Sequence, residues 1–335
     1  MIRTPTCGSP LYLETSTRGI IAGHVSRVAC TRSVPPGCRA IADPPADLTP
    51  QSRPVNSTLR TPLLSLPKQP FAVFSSAWRH RALLVNLARR DVLGRYSGSF
   101  LGLMWSFFNP LLMLCVYTFV FGVVFKARWS PNESTGILEF AVVLFAGLLV
   151  FGIFSECVNR APTLMLQNPG FVKRVIFPLE IMPWVVLCSS LFHAVISLAV
   201  LALVMLVGLG ALPLTWPLIL VVLLPLILFV LGLSWALAAL GVYLRDLAQT
   251  ITIVTTVMMY LSPIFYPASA VPAAFRWAID WNPMSFFIDQ ARRVLIWGTL
   301  PDFSGLAMMT AGGLAVAWLG LTLFQHARDG FADVL

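Results

Sequence analysis

Four histidines, three lysines and a few carboxylates are where any chemistry in this chain would have to start. The histidines are His24, His80, His193 and His326. None has a second histidine, a cysteine or a carboxylate beside it at metal-ligand spacing, and no Ser-His-Asp set or pair of carboxylates is evident, so neither a catalytic group nor a metal site is expected. His193 falls mid-span in an apolar run, where an ionisable residue is a functional suspect by default. Standing alone, it reads as a hydrogen-bonded packing histidine. The lysines are Lys68, Lys126 and Lys173, and none follows a glycine, so the chain has no G-x-x-x-x-G-K-[ST] phosphate loop. If ATP drives this protein, a separate subunit must bind it. Glu139, Glu156 and Asp246 sit at the ends of apolar runs, which argues against a proton- or sodium-coupled carrier with mid-membrane acids. The six cysteines form no C-x-x-C pair.

The elements that must carry these residues are membrane elements. The chain is 57% hydrophobic and only 11% charged, against about 25% charged in soluble domains. Its apolar runs are helix-length, well beyond the roughly 10 residues of a barrel strand. An all-α integral membrane protein is expected. The net charge of +9 fits cytoplasmic Lys and Arg of a membrane protein and gives no reason to invoke nucleic acid.

The organising stretch runs from Arg89 to Pro110, RRDVLGRYSGSFLGLMWSFFNP. A basic, helix-compatible run breaks at Gly94, Ser97, Gly98 and Ser99 and then becomes an apolar segment reaching Phe125. This predicts an interfacial helix within 76–99, lying on the bilayer and feeding the first span. Leu84, Ala88 and Val92 form its apolar row; Arg81, Asp91 and Arg95 intrude on it. Residues 1–75 are rich in Pro, Ser, Thr and Arg and read as a disordered basic tail with no signal-peptide core.

A domain of six transmembrane helices is expected over 100–335. Its spans are about 100–125, 137–158, 181–209, 214–244, 247–266 and 303–325. Two connections exceed what a turn needs. One, 159–180, joins the second and third spans. The other, 267–302, is too apolar for a solvated loop and too broken by Pro272 and Pro283 for a crossing, so short re-entrant outer helices are expected between spans five and six. With the interfacial helix inside, ten Lys and Arg fall in inner segments after residue 75 and five in outer ones. The positive-inside rule then makes both termini cytoplasmic.

Read together, Arg90-Asp91, Arg95-Tyr96, Gly98-Ser99, Leu101-Gly102, Trp105 and Asn109-Pro110 resemble the opening signature of the polysaccharide-exporting ABC transporter permeases. These are the membrane subunits that export O-antigen, capsule and teichoic acid. Phe177-Pro178-Leu179-Glu180, Arg245-Asp246, Ser262-Pro263-Ile264-Phe265-Tyr266-Pro267, and Asn282-Pro283-Met284 with Arg292 are similar to the same family in the same order. The resemblance covers about residues 75–335. It implies a homodimer in the bacterial inner membrane with two nucleotide-binding ATPase subunits, which would hold ATP and Mg. It also implies a lipid-linked polysaccharide as substrate, on a polyprenyl pyrophosphate. The 159–180 loop would be the coupling loop, with Gln167, Asn168, Pro169, Lys173 and Arg174 meeting the ATPase, and 267–302 an outer gate. Arg89, Arg90 and Arg95 would lie beside the lipid's access point, where guanidinium can grip phosphate oxygens in bidentate fashion; the plainer alternative is attraction to anionic lipid headgroups. Sugar rings present C–H faces that stack on aromatics, so Trp105, Tyr117, Phe121 and Tyr260 are the expected glycan contacts, although interfacial belts and packing account for many membrane aromatics.

Overall fold

The computed structural model describes residues 78–125, 136–172, 177–328 and 330–334. The tail at 1–75, most of the loop after Phe125, and Lys173 and Arg174 lie outside the described residues. Every regular element among the described residues is helical.

Helix α1 spans Arg81–Tyr96. It ends at the glycine-serine break, where Gly98 (φ 82°) and Gly102 (φ 50°) adopt left-handed backbone that a side chain would strain. The chain thus reverses tightly into α2, Trp105–Tyr117, with Pro110 inside it. From Thr118 to Val124 the winding loosens to i→i+5 bonding, the Phe125 N–H reaching the Val120 carbonyl at 2.9 Å. Then come α3 (Ile137–Arg160), α4 (Pro169–Val172), α5 (Met182–Gly208), α6 (Ile219–Tyr243) and α7 (Leu247–Leu261). The last part holds α8 (Arg276–Asp280), α9 (Pro283–Leu295), α10 (Phe303–Arg328) and α11 (Phe331–Val334).

Among the described residues, five helical stretches are long and apolar enough to cross a membrane: 102–124, 137–163, 179–208, 216–243 and 303–328. In hydrocarbon every backbone N–H and C=O must be paired, and a continuous helix pairs them within itself. The expected sixth span is not of that kind. Helix α7 has 15 residues, about 22 Å of rise, short of a roughly 30 Å hydrocarbon core. It stops because Ser262 precedes Pro263, whose ring forces the preceding residue out of helical geometry; Ser262 sits at φ −79°, ψ 145°.

Helix α3 is the hub. It packs against α2, α5, α6, α7 and α9 and is buried on almost all sides from Phe140 to Val158. Helices α6 and α10 make the closest pair. A Cβ on Gly320 would collide with the backbone of Gly232, and one on Gly232 with the backbone at Val316 and Ala317. Small residues let two backbones meet where lipid offers no hydrophobic drive for association.

The polar contacts sort the bundle into two ends. One gathers α1, the end of α3, residues 177–182 and the end of α10. There Trp235 Nε1 donates to the Glu180 carbonyl at 3.0 Å, and Tyr243 donates to the Ala327 carbonyl at 3.0 Å. At the opposite end, Thr215 and Trp216 donate to the carbonyls of Val294 and Leu295.

Candidate functional site

Three helices each bring a pair of polar residues four apart to the α1 end: Asp91 and Arg95 on α1, Glu156 and Arg160 on α3, Ser189 and His193 on α5. Four residues is close to one helical turn, so each pair shares a face. The three faces meet. Arg160 grips Asp91 in bidentate fashion, Nη1 at 3.0 Å and Nη2 at 2.7 Å. Ser189 donates to the same carboxylate at 2.6 Å. Arg95 donates to Glu156 through Nη2, and its Nη1 lies 3.4 Å from His193 Nδ1. Tyr96 pairs with His193 Nε2 at 3.0 Å. Glu156 lies 3.5 Å from His193 and 3.8 Å from Arg160.

The network explains the broken stripe on α1. Val92 is buried and Leu84 and Ala88 are half-buried, yet Asp91 and Arg95, which spoil that apolar row, also reach the bundle and are bonded there. Burial by itself would raise the Asp91 carboxyl. The hydrogen bonds from Arg160 and Ser189, with the Arg160 charge, outweigh it and hold the group below its ordinary value. The expectation that His193 stands alone is overturned. Its partners are 37 and about 100 residues away in sequence, so neighbour spacing along the chain missed them; the repeated i, i+4 polar pairs were the available signal. Glu156, read as lying at the end of a span, is one turn inside α3.

Around the network lies a cleft of about 680 Å³, lined by Arg90, Arg95, Glu156, Asn159, Arg160 and Gln167 among others. A second crevice of about 310 Å³ runs between α2, α3 and α5 from Tyr96 and His193 up to Tyr117. The two share two lining residues, Arg95 and Glu156. That ion pair therefore stands where one space gives way to the other.

The sequence-expected residues distribute as follows. Arg90 lines the cleft, while Arg89 lies on the exposed side of α1 beside a shallow groove. Trp105 is exposed at the start of α2. Tyr117, Phe121 and Tyr260 come together through Phe265, at centroid distances of 6.1, 5.2 and 5.9 Å, with Phe121 and Tyr260 both stacked on it. Phe265, expected only as part of the Ser262–Pro267 motif and not as a glycan contact, is the centre of this cluster. Gln167, Asn168 and Pro169 sit in the turn before α4 and at its start, with Asn168 Nδ2 donating to the Leu164 carbonyl at 2.9 Å and Gln167 Nε2 to Thr163 at 3.1 Å. The 160s turn is thus internally bonded.

At the opposite end the Ser262–Pro267 and Asn282–Met284 motifs meet. Asn282 caps α9 by accepting from the Met284 N–H at 3.0 Å and donates from Nδ2 to Ser262 at 2.8 Å. Pro283 at the first helical position lacks the N–H that would otherwise go unpaired. Arg292, only 2% exposed, donates to the carbonyls of Val143, Pro263 and Ile264 at 3.0, 2.6 and 2.9 Å. Backbone freed by the proline break is thereby satisfied, as buried irregular backbone must be. Gly147 makes the room, since a Cβ there would lie 2.8 Å from Arg292 Nη2.

Comparison with known proteins follows this map. The model of the family described as ABC-2 type transporter matches residues 82–296, from the start of α1 to just beyond α9. The chain is 31% identical over 260 residues to the O-antigen export system permease protein RfbA of Myxococcus xanthus, covering 76% of this chain and 96% of that protein. It is 28% identical over 258 residues to a Klebsiella pneumoniae protein of the same name, covering 76% and 95%. It is 24% identical over 252 residues to the polysialic acid transport protein KpsM of Escherichia coli, covering 72% and 91%.

Proposed function

The chain belongs to the ABC-2 type transporter family, and on that footing we propose that it is the membrane subunit of an ATP-driven exporter of lipid-linked polysaccharide. The lipid is a polyprenyl pyrophosphate and the membrane the bacterial inner membrane. One observation carries the reading beyond the family: an arginine-lined cleft at one end opens toward a crevice that rises to an aromatic cluster. Guanidinium groups suit phosphate oxygens, and aromatic faces suit the C–H faces of sugar rings. The relatives' names, O-antigen and polysialic acid transport, are consistent with such a cargo.

In this reading two copies of the chain form the passage, both termini are cytoplasmic, and the α1 end faces the cytoplasm. Two ATPase subunits dock there against the loop that holds Gln167, Asn168, Pro169, Lys173 and Arg174. The pyrophosphate settles between Arg90 and Arg95. ATP closes the ATPase pair, the motion reaches α1 and α3 through the loop, and the glycan passes along the aromatic cluster. The segment 267–302, held by Arg292, dips into the outer leaflet and acts as the outer gate.

The test is reconstitution in liposomes with a partner ATPase subunit. A polyprenyl pyrophosphate glycan should stimulate ATP hydrolysis. R90A and R95A should each abolish that stimulation while the ATPase still co-purifies. Normal export in both variants removes the arginine assignment, and transport by the purified chain without ATP replaces the exporter with a channel.

A further inference from the structure

Glu156 already occupies the guanidinium that an incoming phosphate would want. Arg95 donates to Glu156 from Nη2 and meets His193 through Nη1. An anion arriving in the cleft must therefore displace a carboxylate of charge −1 before Arg95 is available.

From this geometry we infer that Glu156 is a specificity-determining residue that selects pyrophosphate-linked over monophosphate-linked lipids. The inference rests on the pyrophosphate reading of the cleft and adds a means of selection to it. A phosphodiester headgroup carries one negative charge. Exchanging it for Glu156 replaces one anion by another of equal charge, and leaves a half-buried carboxylate stripped of its closest partner. Such an exchange gains nothing in Coulomb energy and is opposed by desolvation. A pyrophosphate diester carries two charges and reaches across two guanidiniums. Arg90 lines the same cleft as Arg95, so the second phosphate finds a second cation; Arg160, also in the lining, is already held by Asp91. In either exchange the displaced Glu156 keeps His193 at 3.5 Å and Arg160 at 3.8 Å, so its release costs the same and the ligand's second charge decides the outcome. Discrimination of this kind comes from an element that repels the wrong ligand. It matters here because single-phosphate lipids form the surrounding bilayer.

The position of the pair adds a consequence. Arg95 and Glu156 line both the cleft and the crevice leading to Tyr117. An anion that draws Arg95 away from Glu156 also parts the wall between the two spaces, so headgroup recognition and opening of the path become one event.

The experiment uses the full chain in nanodiscs and two synthetic probes. Both carry the same polyprenyl chain and N-acetylglucosamine, joined through one phosphate or through two. Wild type should favour the two-phosphate probe by about tenfold or more. In E156Q the one-phosphate probe should gain about tenfold while the other changes little, bringing the two within roughly threefold of each other. E156D, which keeps the charge but withdraws it from Arg95, should move the ratio the same way and serves if E156Q does not elute as folded protein. R95A should weaken both probes, and R95A/E156Q should not regain them. The readout is the ratio, which a merely structural role for Glu156 would leave unmoved. An unchanged ratio in the folded variants overturns the inference and leaves the pyrophosphate reading standing. Failure of wild type to bind either probe overturns that reading and the inference with it.

Discussion

Arg160 holds Asp91 with both guanidinium nitrogens, at 3.0 and 2.7 Å, and this contact fastens the surface helix α1 to the central helix α3. Both side chains are about two-thirds buried or more. Removing either partner takes from the other its closest opposite charge in a low-dielectric neighbourhood, leaving Asp91 with only the Ser189 hydroxyl and Arg160 with Glu156 at 3.8 Å. D91A and R160A should each destabilise the protein by about 1–3 kcal/mol, and the double variant should cost less than the sum, by about 1–2 kcal/mol. Thermal unfolding in detergent reads this directly. The pH dependence follows from the lowered Asp91 carboxyl. A depressed folded value means the contact stabilises fully above the ordinary carboxylate range, about pH 4, and that the stabilisation is lost as pH falls through the folded value. Wild type should lose stability on acidification below about pH 4, and D91N should lose less over the same interval.

The α6–α10 pair supplies a second test. A Cβ on Gly320 would run into the Gly232 backbone, which cannot swing aside as a side chain does. G320A should cost about 2 kcal/mol or more. Gly312 lies on the same helix with nothing within 4 Å of its would-be Cβ. There G312A should be neutral or stabilising by about 0.5–1 kcal/mol, because alanine restricts the unfolded chain more. Melting temperatures that fall equally in both variants would refute the close-approach argument.

Arg292 makes the third. R292M leaves the Pro263 and Ile264 carbonyls without the donor that satisfies them, and should destabilise by about 3 kcal/mol or more. R292K, with three donors at one point instead of a planar fork, should recover part of this. G147A should resemble a mild form of R292M, since its methyl group intrudes on the guanidinium.

Phe265 is the fourth. It stacks with Phe121 and Tyr260 and touches Tyr117. F265A should cost about 1.5–4.5 kcal/mol of stability, summing these three ring contacts, and should lower glycan-stimulated ATP hydrolysis in the reconstituted complex. F265Y should retain both. Unchanged hydrolysis in a folded F265A would detach the cluster from the glycan path.

Much of the architecture was legible beforehand. Long apolar runs place the five full-length helices to within a few residues, since helix length against hydrocarbon thickness leaves little choice. The Gly98–Gly102 turn follows from residues that tolerate left-handed backbone. The fifth run reads as apolar to residue 266, but the helix ends at Leu261 because the Pro263 ring forces Ser262 out of helical geometry. The motif string around Ser262 and that around Asn282 were visible as separate signatures; that they bind one another through Asn282 and Arg292 was not.

Composition and periodicity by themselves determined that this is a helical membrane protein, roughly where its helices run, and which end of the bundle collects basic charge. Those properties are local, set by how each stretch of side chains partitions between water and oil. Tertiary structure alone decided that His193 has partners, that Asp91 and Arg95 belong to a network although they interrupt the apolar stripe, and that Phe265 joins three other rings. Such facts depend on which helix faces meet, and faces are chosen by packing between segments that can lie a hundred residues apart.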